Sequence, residues 1–437
     1  MATPREPGLV KRGLLWLLLL GPFFFLSYGL ANHHTAGLAE VGSLVFDWER
    51  HIPLWPWTIL PYWSIDLLYG LSFLLPRSRL EMDRHAMSLL TTQIICVSGF
   101  LLWPLRFTLE RPELAGFFGW MFDVLMGFDK PFNQAPSLHI ALLVIIWTMF
   151  ARHIHGRAAR GILHIWMGLI GLSVLTTWQH HFIDLPSGVL VGLLCVWLWP
   201  REGQPPLRQA HLARDPKRWR LALCYGAGAM TAGGLAIYQG NAWLWLLWPA
   251  LSLLMVALNY AFIGAGGFQK GADGQLSFAV KWLFAPYLLG AWVNSRLWTR
   301  GHPQADEVCD GVYLGRIPAR GEADGFAAIV DICAELSLPV ASGQHYRSLP
   351  GLDLIVPQNA LCHQAADAIE TLRGQGPLLV CCALGYSRSA SVIAAWLILT
   401  GRCMDLSHAE ARLRLARPGV VLHAAHRRVL EQLGACQ

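Results

Sequence analysis

Eight apolar runs in the first 264 residues constrain this chain more than anything else in it. They lie near 13–31, 54–76, 87–105, 137–152, 161–177, 185–200, 221–238 and 243–264. A run of about 20 apolar residues is what a helix needs to cross a bilayer, and lipid leaves the backbone no water to bond. The chain is 54% hydrophobic and 14% charged with 20 Trp, and the excess lies almost entirely before residue 300. That composition excludes an ordinary soluble globule and predicts an all-α polytopic bundle of about eight transmembrane helices. The first run follows Lys11-Arg12 with no convincing cleavage site after it, so it is read as a retained anchor.

Charge predicts the orientation. One set of loops carries Arg5, Lys11 and Arg12, then Arg77, Arg79 and Arg84, then Arg152, Arg157 and Arg160, then a cluster from Arg201 to Arg220. The alternate loops are nearly free of Lys and Arg, apart from 106–130. The positive-inside rule puts the N-terminus and everything after 264 in the cytoplasm, so the plasma (inner) membrane of a bacterial-type cell is the expected location. The net charge of +6 follows from this bias and calls for no nucleic-acid partner. Arg106, Arg111 and Lys130 fall on the outer side, where they are expected to act as anion ligands rather than to snorkel.

Beyond residue 300 the pattern changes to α/β. Strands are expected near 327–332, 338–341, 352–356 and 377–381, and helices near 358–374, 389–400, 406–416 and 422–434. Ser407 and Glu410 suggest a capping box, and Trp396 and Leu397 read as core. The expected divisions are a membrane domain at 1–264, a linker with an interfacial helix at 265–300, and a catalytic domain at 301–437. The linker opens with G-A-G-G-F-Q-K-G-A-D-G-Q. Its apolar stretch from Phe278 to Trp298 is broken by Lys281, Pro286 and Asn294, which suits a helix lying in the interface rather than a ninth span.

In the catalytic domain, V-C-C-A-L-G-Y-S-R-S (Val380–Ser389) reads as strand, tight loop and helix start. Cys382 stands six positions before Arg388. Loop N–H groups and a helix N-terminus make an anion cradle there, and the same field favours a thiolate at Cys382. The fork of Arg388 suits two phosphate oxygens. Gly385 sits where the backbone must come close to a ligand. A second Cys-x5-Arg, Cys195 to Arg201, has no glycine and ends in Pro-Arg, and is chance.

The segment resembles the signature of the protein tyrosine and dual-specificity phosphatases, over about 130 residues from D-G-V-Y-L-G-R at Asp310 onward. The resemblance implies that Cys382 is the nucleophile, that Asp353 in L-P-G-L-D-L-I-V-P protonates the leaving oxygen, and that Ser389 assists release of the phosphoryl group. A-R-P-G-V around Arg417 resembles a late segment of the family. The family usually has His before the cysteine, where this chain has Cys381. The resemblance extends to the mitochondrial phosphatidylglycerophosphate phosphatase of this class. The loop A-L-G-Y-S carries no further Lys or Arg, so a single phosphate ester is expected rather than a polyphosphorylated headgroup. The ten cysteines form no disulfide framework or metal spacing.

A second constellation flanks the fourth and fifth runs. N-Q-A-P-S-L-H ends at His139, and W-Q-H-H-F-I-D holds His180 and Asp184. Four residues apart, His180 and Asp184 face the same way on a helical turn, so the carboxylate can take one ring nitrogen and leave the other free. His139 would come from a neighbouring helix as general acid. The pairs His211/Asp215, His302/Asp306 and His363/Asp367 share the spacing without the setting, and Pro186-Ser187-Gly188 has no histidine after it.

Together with Arg111-Pro112, these motifs resemble, in order, those of the type-2 phosphatidic acid phosphatase superfamily, over residues 85–200. That resemblance implies His180 as nucleophile, His139 as acid, and Arg111, Arg106 and Ser137 of P-S-L-H in phosphate binding. The family lysine is Pro104 here, and its third-motif Ser-Arg is replaced in the Thr176-Thr177 region. In these features the chain looks more like the inositol-phosphoryl and choline-phosphoryl transferases of sphingolipid synthesis. The expected function is hydrolysis of phosphate monoesters, of lipids above all, at a cytosolic cysteine site and an outward histidine site. The alternatives are a membrane-anchored phosphoprotein phosphatase, or headgroup transfer in the membrane half. Neither mechanism needs a metal or other cofactor. The expected partners are membrane lipids and a lipid phosphate substrate, with no protein partner indicated.

Overall fold

The computed structural model describes residues 5–435. The chain divides into two compact units that part between Pro205 and Pro206.

The first unit is all helical: α1 Leu9–Ala36, α2 Ile59–Ser72, α3 Arg79–Leu102, α4 Gly116–Phe128, α5 Leu138–His153, α6 Arg157–Thr176 and α7 Asp184–Leu198. The apolar side chains are not confined to one stripe. Met82, Ile146 and Met167 are fully buried while Leu18, Leu26 and Ile162 are among the most exposed. A helix apolar on all sides belongs in an apolar solvent. Among the described residues, five helices are long and apolar enough to cross a membrane: α1, α3, α6, and in the second unit Pro216–Gln239 and Asn241–Phe268. The runs expected at 54–76, 137–152 and 185–200 form helices of only 14, 16 and 15 residues. The helix α4 was not anticipated at all, since its 13 residues fall short of a span.

Packing of α7 on α5 sets the histidine motifs side by side. A Cβ on Gly188 would lie 2.5 Å from the Ser137 carbonyl oxygen, and one on Gly192 would lie 2.7 Å from that of Ala141. Glycines four apart let two helix backbones meet in this way. Thus P-S-G is no catalytic motif here, and its glycine is a helix contact. The Ser137 amide then donates to the Asp184 carbonyl at 3.2 Å, joining the first turns of both helices.

The second unit begins with α8 Pro206–Gln209 and the antiparallel hairpin α9 Pro216–Gln239 and α10 Leu247–Leu258. A π-helical turn, Asn259–Ile263, extends α10. The stretch from Phe278 to Trp298 is two helices, α11 Phe278–Leu283 and α12 Ala285–Trp298, broken just before Pro286. The preceding glycine-rich segment is no loose linker: Lys270 is buried, with its ammonium on the Asp331 carboxylate and on the Cys333 carbonyl at 2.7 Å.

Five strands follow: β1 Asp306–Cys309, β2 Val312–Arg316, β3 Ala328–Cys333, β4 His345–Gly351 and β5 Leu378–Cys382. Their order is β1-β2-β5-β3-β4, parallel except for β1 on β2. The helices α13 Asn359–Leu372, α14 Arg388–Leu399, α15 Leu406–Ala416 and α16 Ala424–Ala435 cover one face. A smaller apolar layer around Ile329, Leu379 and Cys381, with Ala291 of α12 against it, covers the other. Burial on both faces explains why β3 and β5 read as unbroken apolar runs.

Three expectations need correcting. The stretch 338–341 joins no strand of the sheet, and 352–356 is a turn in which Leu354 has φ +59°. The fourth strand is instead the more polar H-Y-R-S-L-P-G, an edge strand exposed on alternate residues, where Pro350 is tolerated. The helix α15 is capped by Asp405, whose carboxylate accepts from the His408 amide at 2.9 Å, rather than by a Ser407–Glu410 box.

Candidate active sites

Parallel sheets present their ligand-binding loops at the C-terminal ends of their strands. In the second unit each of three such ends delivers a functional group. Cys382 closes β5, Glu335 follows β3, and Asp353 follows β4.

The thiol of Cys382 is buried at the mouth of the loop 383–387. Its sulfur accepts the Gly385 amide at 3.3 Å and the Ser389 hydroxyl at 3.2 Å. The loop feeds directly into α14, so the positive end of that helix faces the same sulfur. Gly385 holds φ +73°, and a Cβ there would lie 2.4 Å from the Gly315 carbonyl carbon. Only glycine fits this turn against β2. Cys381, on the opposite side of the pleat, is fully buried in the second apolar layer. Burial, with the nearby Asp331 charge, pushes its thiol well up. Adjacent cysteines in sequence therefore stand in opposite environments.

Arg388 is buried and fully engaged. Its two terminal nitrogens meet Glu335 at 3.0 and 2.6 Å, a bidentate pair. One also donates to the Gly351 carbonyl at 2.7 Å and the other to Asp353 at 2.8 Å. Burial works against the arginine charge, and Glu335 and Asp353 more than offset it, so its pKa rises. Burial likewise pushes Glu335 up, but Arg388 overrides it and leaves the carboxylate below its ordinary value. Asp353 goes the other way. Burial raises it, Arg388 opposes, the Glu335 charge adds to burial, and the net direction is up. A carboxyl so placed keeps its proton to higher pH than an ordinary aspartate. The loop is buttressed from outside as well. Ser387 shares a 2.9 Å hydrogen bond with His426, whose pKa burial lowers to about 4. Ser295 of α12 donates to the Ala383 carbonyl at 2.6 Å. Arg417 lies over the Tyr386 ring, 4.8 Å from its centre, and is tied to Asp306.

Sequence reasoning thus named Cys382, Gly385, Arg388, Ser389 and Asp353, which do converge, and missed Glu335, Ser295 and His426. No local pattern marks Ser295 or His426. Glu335 alone had a faint signal, as an acidic residue after a buried strand.

In the first unit His180 stands just before α7, and its Nδ1 is 3.2 Å from Asp184. Its Nε2 is 3.2 Å from the Ser137 hydroxyl, which also caps α5. Asp184 accepts in addition the His181 amide at 3.0 Å. His181 is itself fixed: the Thr108 amide donates to its Nε2 at 3.2 Å, so Nδ1 carries the proton and donates to Glu49 at 2.9 Å. Glu49 and His181 brace the turn and were not anticipated. His139 stacks on Tyr62 with ring centres 4.3 Å apart, and its Nε2 is buried without a hydrogen-bond partner.

His139 and His180 line one cavity of about 130 Å³ with Tyr28, Tyr62, Asp66 and Asp129. Asp129 accepts from the Tyr28 hydroxyl at 2.6 Å and from that of Tyr62 at 3.1 Å. The expected basic residues lie elsewhere. Arg111 donates to the Thr177 and Trp178 carbonyls at 2.9 and 3.0 Å and rests on Phe122, clamping the approach to His180 through backbone. Arg106 and Lys130 are exposed and are not brought to the cavity wall.

Among the described residues no group of three His, Cys, Asp or Glu side chains is arranged to hold a metal ion. No family model matches the chain, and no curated protein matches it. Solved structures do. It is similar to human DUSP28, 24% identical over 31% of this chain and 95% of that one, with a TM-score of 0.28. It is similar to Tk-PTP in its active form, 27% identical over 31% of this chain and 98% of that one, TM-score 0.28. It is also similar to PTPMT1 in complex with PI(5)P, 17% identical over 30% of this chain and 94% of that one, TM-score 0.28. These neighbours are phosphatases of the dual-specificity and tyrosine kind, and they account for less than a third of the chain.

Proposed function

We propose that this chain is a membrane-embedded hydrolase of phosphate monoesters, acting on lipid phosphates through Cys382. One observation carries the reading. A cysteine sulfur receives a loop N–H and a hydroxyl at a helix N-terminus, with an arginine fork and a carboxyl of raised pKa on the same sheet edge.

In the mechanism the Cys382 thiolate attacks phosphorus in line. The S–P bond forms as the ester P–O bond breaks, and loop amides with Arg388 hold the charge on the equatorial oxygens. Asp353 gives its proton to the departing alcohol oxygen. As carboxylate it then takes a proton from the water that attacks the phosphocysteine. Inorganic phosphate leaves, and the Ser389 hydroxyl, 3.2 Å from sulfur, stabilises the thiolate as the S–P bond breaks. No metal enters either step. The lipid assignment is supported by the helices long and apolar enough to span, two of which belong to the same compact unit as Cys382. The charge bias of the loops supports a cytosolic position for this site.

The membrane half supports a second phosphoryl-transfer site. Its Asp184 fixes the His180 tautomer and leaves Nε2 to attack, with His139 as proton donor. One observation favours headgroup transfer over monoester hydrolysis there. Two carboxylates, Asp66 and Asp129, line the cavity beside aromatic rings, a wall that repels a bare phosphate dianion and suits a cationic or polyhydroxylated headgroup.

The test is phosphate release from a panel of lipid phosphates in detergent, by the wild type, Cys382→Ser and His180→Ala. Loss of monoester hydrolysis in Cys382→Ser, with His180→Ala unaffected, is the expected result. Full activity of Cys382→Ser on every ester would sink the reading.

A further inference from the structure

Asp353 sits half-buried on a turn after an edge strand, next to an exposed residue at φ +59°. A turn of this kind is mobile unless it is tied down. Two ties hold it. The carboxylate meets Arg388 at 2.8 Å, and the main-chain carbonyl accepts the Tyr260 hydroxyl at 2.9 Å. The first tie cannot survive catalysis, because a bound phosphate needs the same arginine fork. Only the second remains when the acid must stand over the leaving oxygen.

Tyr260 is unusually well placed for this. It is fully buried, in the π-helical turn that ends the hairpin. Such turns tend to sit at functional sites because they re-aim one side chain. The carbonyls of Asn259 and Tyr260 are taken by Arg218 of α9, at 3.2 and 2.8 Å. The ring is flanked by Tyr225 of α9 at 5.5 Å, which meets Tyr287 of α12 at 5.7 Å. Backbone and ring are therefore both fixed before the hydroxyl reaches Asp353.

The geometry points to Tyr260 as the positioning residue of the general acid, so that the apolar hairpin sets the aim of Asp353. This rests on the acid role proposed for Asp353.

The full-length protein in detergent is assayed on two aryl esters. Phenyl phosphate needs a proton on its leaving group, and 2,4-dinitrophenyl phosphate does not. Tyr260→Phe keeps the ring and removes the donor. It is expected to lose on the order of 10²-fold in kcat/KM, which reports the P–O cleavage step alone, on phenyl phosphate while staying within about twofold on the dinitrophenyl ester. In an Asp353→Asn background the same change should cost nothing further on phenyl phosphate. Equal losses on both esters, or no loss on either, would overturn the assignment. A wild type whose turnover of both esters survives Cys382→Ser would overturn the underlying site instead.

Discussion

Glu335 grips both terminal nitrogens of Arg388, at 3.0 and 2.6 Å, from the end of a neighbouring strand. The pair is buried, so each charge depends on the other. Replacing Glu335 with Gln keeps the shape and removes the charge. Breaking one partner of a buried pair costs about 3–5 kcal/mol. We expect Glu335→Gln to lower the thermal midpoint and to raise KM for phosphate esters more than it lowers kcat, read by steady-state kinetics at fixed temperature.

The raised pKa of Asp353 predicts the pH profile. A general acid works in its protonated form, so activity on esters with poor leaving groups should hold until pH climbs through the raised value. The alkaline limb of kcat/KM, which reports the free enzyme, should lie above that of an ordinary aspartate. Asp353→Asn should abolish that limb and cost about 10²–10⁴-fold. A limb at the position of an unperturbed aspartate would contradict the burial seen here.

Cys381 and Cys382 should separate cleanly. Cys382→Ser is expected to remove hydrolysis at this site. Cys381→Ala removes only a buried sulfur from the far face of the sheet and should keep kcat within about threefold, at a stability cost on the order of 1 kcal/mol. Comparable kcat losses in both variants would show that the face assignment is wrong.

For the first unit, Gly188 is the sensitive position. A side chain there would meet the Ser137 carbonyl oxygen at 2.5 Å and push α7 off α5. Gly188→Val should lose any His180-dependent transfer while Cys382-dependent hydrolysis survives. Retained His180-dependent transfer in that variant would show that the close approach is dispensable.

Much of this was legible in the chain. The Cys382 loop announced itself because its signal is local: strand, glycine and helix start occupy ten consecutive residues. His180 and Asp184 were legible for the same reason. What could not be read were groups brought in by long-range packing, such as Glu335, Glu49 and Ser295. Fourth-strand placement failed because L-D-L-I-V is more apolar than H-Y-R-S-L-P-G. An edge strand needs only one buried face, and the turn that aims Asp353 took the apolar residues. Arg106 illustrates the limit of charge counting: the bias of the loops is informative, yet it says nothing about where a single guanidinium points.

The buried pairing of Lys270 with Asp331 bears on modularity. The sequence suggests a soluble enzyme that could be lifted away by cutting near residue 300. Such a cut would strip the ammonium from a carboxylate with no access to water, and would also remove the Ser295 hydroxyl from the loop carbonyl. The sheet has surrendered part of its interior to the segment that leads out of the apolar hairpin. Transplanting it would mean carrying that segment along.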